Sequence, residues 1–378
     1  MNTAQELLAA GQSIWYDNVQ RSLLQNGELA GMIARGEIRG VTSNPTIFMN
    51  AITKSQDYSA ALIPLAQAGK SAEEIFWDLA IEDIQTAADL FRPLYDESGA
   101  DDGYVSLEVS PYLAQDADGT LAAARMIWQR VNRPNLMVKI PATKAGLPAI
   151  SAAIADGINI NVTLIFSVER YAAVMEAYLK GLEKRVAAGL PVSSVASVAS
   201  FFVSRVDTKV DGHLMGMIDR GGRRAEKAED LLGKAAIANA RLAYTDFKAV
   251  FATARFQALK AAGARVQRPL WASTGTKNPK YRDVVYVEDL IGPDTVNTVP
   301  PATLTAFLDH GQVRAGSLEE NVAEAERDLA ALESLGISMN AVTGELEQEG
   351  VKSFADAFTA LLAAVETERK AVVSAGAM

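Results

Sequence analysis

The chain has 378 residues, 49% of them apolar and 22% charged, a net charge of −10 and no cysteine. That length carries a large core, either as two domains or as one α/β barrel. The acidic balance argues against a nucleic-acid partner, because a polyanion is repelled overall, and the missing cysteines exclude disulfides and thiolate chemistry.

Taken in chain order, short β-like runs alternate with helical ones. Residues 13–18 (SIWYDN) precede a helical stretch through Met32, and 40–48 (GVTSNPTIF) read as the second β-like run. Ser71 and Glu74 stand at capping-box spacing, which predicts a helix from there to about Phe91. The runs 104–110 (YVSLEVS), 136–142 (LMVKIPA) and 160–167 (INVTLIFS) follow, with helices expected near 118–131 and 146–155 and another capped by Ser167. Residues 195–203 (VASVASFFV) lead into a long helical region reaching about Ala262, and 268–274 (RPLWAST) and 294–299 (DTVNTV) complete eight strand candidates. Such alternation predicts a parallel sheet, and eight units suggest a closed (β/α)8 TIM barrel. An open doubly wound sheet is the alternative, weakened by the absence of a G-x-G-x-x-G fingerprint. Ser317 and Glu320 repeat the capping-box spacing, and a last amphipathic stretch spans about 354–373. The whole chain, 1–378, is therefore read as one barrel domain with additional N- and C-terminal helices and a helical extension over about 317–376.

No N-terminal basic-plus-apolar signal is visible, since Glu6 and Asp17 interrupt the start, and no apolar run reaches the length of a membrane span. The expected setting is cytoplasmic, with no membrane partner. Only two histidines occur, His213 and His310, both expected at surfaces or helix ends. A histidine-rich metal site or a Ser–His–Asp triad is disfavoured, leaving lysine, carboxylates, amides and hydroxyls for any chemistry. Arg220, Arg223 and Arg224 read as a solvated basic face.

Strand side chains alternate between faces, and several runs are polar on one face only. Ser106, Glu108 and Ser110 share a face, as do Asn159, Asn161 and Thr163, then Thr42, Asn44 and Thr46, and Ser13, Trp15 and Asp17. Lys139 aligns with Met137 in the middle of the apolar run 136–142. In a barrel the inner faces fill the lumen, so polar inner faces imply a polar mouth, and Asp17, Asn44, Glu108, Lys139, Asn161 and Thr163 lie late in their strands, toward the C-terminal end where barrel enzymes place their sites. A lysine in a buried strand either snorkels or pairs with an acid, or its amine is held for attack on a carbonyl to form a Schiff base. Lys139 together with Asp17, Glu108 and two inward asparagines favours the second use, because aldol chemistry needs carboxylates in differing environments to move its protons. Ser273, Thr274, Gly275, Thr276 and Lys277 follow the seventh strand candidate, and Arg205 follows the sixth. Both positions suit a phosphate grip, although a plain turn and a surface arginine would read the same way.

The segments GVTSNPTIF, LEVSP, MVKIPAT, INVTLIFS, SFFVSRVD and WASTGTKNP, in this order over roughly residues 12–300, resemble the transaldolases, in particular the longer branch of that family. The resemblance implies transfer of a dihydroxyacetone unit between sugar phosphates in the non-oxidative pentose phosphate pathway. Sedoheptulose 7-phosphate and glyceraldehyde 3-phosphate would exchange with erythrose 4-phosphate and fructose 6-phosphate. It implies Lys139 as the Schiff-base lysine, Asp17 as the acid/base on the C4 hydroxyl, and Glu108 with Thr163 and a water as the proton shuttle. It also implies Asn44, Asn161 and Ser200 around the dihydroxyacetone unit, Phe202 in the pocket wall, and Arg205 and Ser273 on the phosphate. Shorter members carry S-F-R where this chain reads STGTK, so their arginine aligns with Gly275, and Lys277 becomes the candidate second cation. No metal or organic cofactor is implied, no second catalytic domain is expected, and the partners are small sugar phosphates, with a monomer or homodimer as the assembly. A lysine-type fructose 6-phosphate aldolase and a non-catalytic sugar-phosphate-binding barrel are the competing readings.

Overall fold

Eight parallel strands close into a barrel in the computed structural model, which describes residues 2–376; residues 1, 377 and 378 of the expected domain lie outside the described residues. The strands are β1 (Gln12–Tyr16), β2 (Gly40–Val41), β3 (Tyr104–Glu108), β4 (Leu136–Pro141), β5 (Ile160–Ile165), β6 (Ser197–Phe202), β7 (Gln267–Ala272) and β8 (Thr295–Val299). Each pairs with the next, and β8 closes on β1 from Gln12↔Thr295 to Tyr16↔Val299. The open-sheet alternative is thereby excluded. All eight strand candidates contain a strand, but the second is much shorter than its β-like run. After Val41 the chain turns, Asn44 caps a helix Pro45–Thr53 by accepting from the Ile47 amide at 3.0 Å, and Pro45 occupies the first helical position, where its missing N–H costs nothing.

The helices follow their sequence signals with two exceptions. The Ser71–Glu74 capping box forms and starts the helix Ala72–Glu97, and Ser167 caps Val168–Ala187. The long helical region after β6 is four helices, Ser204–Ile218, Arg223–Glu229, Ala235–Phe251 and Ala254–Ala261. Gly221, Gly222 and Gly233 interrupt it in left-handed conformations that glycine adopts without a Cβ clash. The expected Ser317–Glu320 cap is not made. Ser317 instead donates to the Glu288 carbonyl and accepts from the Ile291 amide, and the helix Val322–Leu335 starts after Asn321. Ser317 is fully buried and opens only the short 3-10 turn Ser317–Glu319, its hydroxyl being spent on those two backbone groups.

The N-terminal end of the barrel is sealed by a polar cluster. The Asp102 carboxylate accepts from Ser13 Oγ at 2.7 Å, Trp15 Nε1 at 3.1 Å and Arg39 Nε at 2.6 Å. Arg268, from β7, donates to Ser13 Oγ and to the Thr295 and Asp101 carbonyls, each at 2.8 Å. Trp15 fills the lumen above them; a Cβ on Gly40 would lie 2.6 Å from its ring, so only glycine lets β2 approach. Such closure leaves the opposite end as the mouth.

The C-terminal helix, Met339–Gly376, returns across that mouth. Its side chains Leu346, Phe354, Phe358, Leu361 and Val365 recur at helical spacing and are buried. They pack it against the helix Pro45–Thr53 and the helix Ala72–Glu97, with Phe358 meeting the Phe76 ring edge-on at 5.3 Å. Among the described residues no helix is long and apolar enough to cross a membrane.

Candidate active site

Parallel register fixes the floor of the mouth. Glu108, Lys139 and Asn161 lie side by side on β3, β4 and β5, so all three side chains point into the lumen. Lys139 is 4% exposed. Its Nζ donates to the Ser43 carbonyl at 3.0 Å and stands 3.5 Å from Glu108 Oε2. The snorkelling alternative is removed by this burial, and the lysine is instead held among polar groups inside the barrel.

Glu108 is the more perturbed member of the pair. Burial pushes its carboxyl up to about 7, against the opposing pull of Lys139 and with a further upward push from Asp17. The physical cause is visible behind it, where Phe48, Phe76, Trp77 and Phe358 line a narrow apolar gap. Its Oε2 accepts no hydrogen bond, and the hydroxyl of Thr163 on β5 is likewise unpaired among the described residues. A buried carboxyl oxygen whose neighbour is an amine 3.5 Å away, and a buried hydroxyl with no partner, are unusual in a stable interior.

Asp17 follows β1 directly. Its Oδ1 accepts from Thr42 Oγ1 at 2.7 Å, and the Thr42 hydroxyl also meets Thr298 Oγ1 on β8 at 2.6 Å. Burial raises the Asp17 carboxyl above its ordinary value, while Lys139, Thr42 and Lys277 pull it down. Two carboxyls of differing surroundings thus flank one amine.

A cavity of about 210 Å³ opens above Lys139, lined by Asp17, Asn44, Ser200, Phe202, Arg205, Ser273, Gly275 and Lys277. Most of the residues singled out from sequence meet there. Asn161 and Thr163 do not line the cavity. Asn161 is committed at both ends, donating to Ser106 Oγ at 3.0 Å and accepting from Ser200 Oγ at 2.7 Å. Glu108 does not line it either, reaching the cavity through Lys139.

At the outer side of the cavity Arg205 stacks on Phe202, 5.5 Å from the ring centroid, and burial pulls its guanidinium down from its ordinary value. No carboxylate hydrogen-bonds to Arg205 or to Lys277 among the described residues, in a chain whose net charge is −10. Ser273 takes a left-handed conformation, φ 55°, after β7, and its hydroxyl lies 3.0 Å from that of Ser204. A Cβ on Gly275 would meet the Pro300 side chain at 3.0 Å, a tight fit, and the exposed Lys277 lines the rim two residues on.

These features carry a specific kinship. The model of the transaldolase/fructose-6-phosphate aldolase family matches residues 14–365. The chain belongs to that family. It is 50% identical to Transaldolase 1 of Streptomyces coelicolor over 361 residues, 96% of this chain and 93% of that protein. It is 50% identical to the transaldolase of Thermobifida fusca over 358 residues, covering 95% and 96% of the two chains. Transaldolase 2 of Nostoc is 46% identical over 375 residues, 98% of each chain.

Sequence reasoning placed Thr42 on the polar face without pairing it to Asp17, and it missed three further groups at this site: Ser43, whose carbonyl holds the amine, Thr298, and Phe354. Thr298 follows Asn297 in the last strand run, so no clean alternation marks it. Phe354 carries no signal either, because its spacing is that of an ordinary helix core. His213 is exposed and His310 ends the helix Pro301–His310, paired with Asp283, as expected.

Proposed function

We propose that this chain is a transaldolase that moves a dihydroxyacetone unit from a ketose phosphate to an aldose phosphate through a Schiff base on Lys139. The single observation that carries the mechanism is the Lys139 amine, buried at the inner end of the cavity between two carboxyls that burial makes weaker acids than usual. Attack of the neutral amine on the C2 carbonyl of the donor gives a carbinolamine. Protonated Glu108, 3.5 Å from Nζ, supplies the proton with which the hydroxyl departs as water, with Thr163 completing the relay. The iminium then draws electrons from the C3–C4 bond. Asp17 takes the C4 hydroxyl proton, the bond breaks, and an aldose phosphate leaves with a new aldehyde while the electron pair remains on the enamine. An incoming aldehyde accepts that pair, Asp17 returns the proton to the new hydroxyl, and water releases the ketose from Lys139. Asn44 and Ser200 hold hydroxyls of the three-carbon unit, Asn161 orients Ser200, and Phe202 forms the apolar wall. Arg205, Ser273 and Lys277 grip the phosphate at the mouth, as two cations without carboxylate partners suit.

The setting we infer is the non-oxidative pentose phosphate pathway in the cytoplasm, and we read the described chain as one barrel domain with its C-terminal extension. The test is borohydride reduction in the presence of fructose 6-phosphate, followed by intact mass and peptide mapping. A three-carbon adduct on Lys139 is expected, together with loss of turnover in Lys139→Ala; a folded protein that gives no adduct sinks the mechanism. Turnover that depends on erythrose 4-phosphate distinguishes transfer from simple aldol cleavage, which would release dihydroxyacetone without it.

A further inference from the structure

Phe354 comes from the C-terminal helix, more than 200 residues beyond Lys139 in sequence, yet it lines the same cavity. Its ring centroid lies 5.9 Å from Lys139 Nζ, and the residue is 4% exposed. The helix is pinned on both sides of it. On the N-terminal side Lys209 reaches Glu345 at 2.7 Å and Glu349 at 2.6 Å, and Arg170 reaches Glu347 at 3.1 Å. Gly350, one turn before Phe354, lets the helix descend onto Leu164, whose side chain would lie 2.9 Å from any Cβ there. Leu164 is itself at φ 58°, at the register shift between β5 and β6. On the C-terminal side, one turn after Phe354, Phe358 meets Tyr112 at 5.3 Å, and the Thr359 and Tyr112 hydroxyls are 2.7 Å apart. The helix is thus strapped over the mouth, with one aromatic ring aimed at the amine.

A phenyl ring neither gives nor takes a proton, so its work at this position is to exclude water and to face a cation. We propose that Phe354 is a specificity-determining residue that keeps the three-carbon enamine on Lys139 for an aldehyde acceptor by barring water from it. The inference rests on the transfer reading above. Once C3–C4 has broken, two fates compete. In one, the enamine C3 attacks the acceptor carbonyl and a carbon–carbon bond forms. In the other, C3 takes a proton from solvent, the resulting iminium adds water at C2, the C–N bond breaks and free dihydroxyacetone leaves with Lys139 restored. Water exclusion from a reacting site suppresses the second fate.

The experiment compares the unaltered protein with Phe354→Ala and Phe354→Leu. Acceptor-free release of dihydroxyacetone from fructose 6-phosphate is measured beside transfer to erythrose 4-phosphate. The ratio of release to transfer should rise about tenfold in Phe354→Ala and by less in Phe354→Leu, whose side chain still fills part of the space. Borohydride trapping on Lys139 should persist in both. A ratio unchanged while both rates fall together would overturn the inference and leave Phe354 as packing only. If Phe354→Ala does not fold, the ratio in Phe354→Leu decides. Absence of adduct and of acceptor-dependent turnover in the unaltered protein would instead strike the functional reading, and this inference with it.

Discussion

Replacing Glu108 by glutamine removes a charge that the fold opposes, so the variant should be more stable than the parent above neutral pH while losing turnover. The carboxyl is carried from 4.5, its ordinary value, to about 7, first by burial against Phe48, Phe76, Trp77 and Phe358. Below pH 4.5 the group is protonated in folded and unfolded chains alike and contributes no difference. As pH rises toward 7 the unfolded chain loses its proton while the folded one keeps it, so stability falls; above 7 both have ionised and the loss is complete. At about 1.4 kcal/mol per tenfold change in the proton equilibrium, that rise amounts to roughly 3 kcal/mol. Glutamine keeps the shape of the neutral acid and avoids this cost. For a chain of this length the gain corresponds to about 4 °C in Tm. The assay is thermal and urea unfolding of parent and variant at pH 4, 6 and 8. The variant's advantage should be close to nil at pH 4 and largest at pH 8. An advantage independent of pH, or a parent that is the more stable at pH 8, would refute the reasoning.

Lys277→Ala should raise KM for phosphorylated sugars with little change in kcat, since the rim cation binds substrate and transition state alike; steady-state kinetics that leave KM unchanged would remove Lys277 from the phosphate grip. Asp102→Ala strips Ser13, Trp15, Arg39 and Arg268 of a shared acceptor at the sealed end. It should cost about 3–5 kcal/mol, as breaking one side of a buried ion pair does, and shift the urea midpoint downward with kcat of the remaining folded protein intact.

The barrel was legible because each strand candidate is a short β-like run between helical stretches, several with a polar alternate face, and because Ser71 and Ser167 stand where their caps require them. Lys139, Glu108 and Asp17 were legible for the same reason: a charge inside an apolar run is a local anomaly. What local pattern could not give is tertiary. The Ser317–Glu320 spacing looked like a cap but lost to two buried backbone groups near Glu288 and Ile291. The left-handed Leu164 breaks no sequence rule in advance, because an apolar residue in a strand announces no bulge. The commitment of both ends of Asn161 to Ser106 and Ser200 depends on strand neighbours that meet only in the closed barrel.

The cluster around Asp102 and Arg268 has a bearing on timing. With one end of the barrel plugged, traffic to Lys139 runs through the opposite mouth into a chamber of about 210 Å³. In the proposed reaction the aldose released from the donor and the aldose that accepts would occupy the same space and cross the same threshold. One must leave before the other arrives. The exchange is then two separate half-reactions, and in the interval between them the protein itself is the courier, loaded with a three-carbon fragment and waiting for an address.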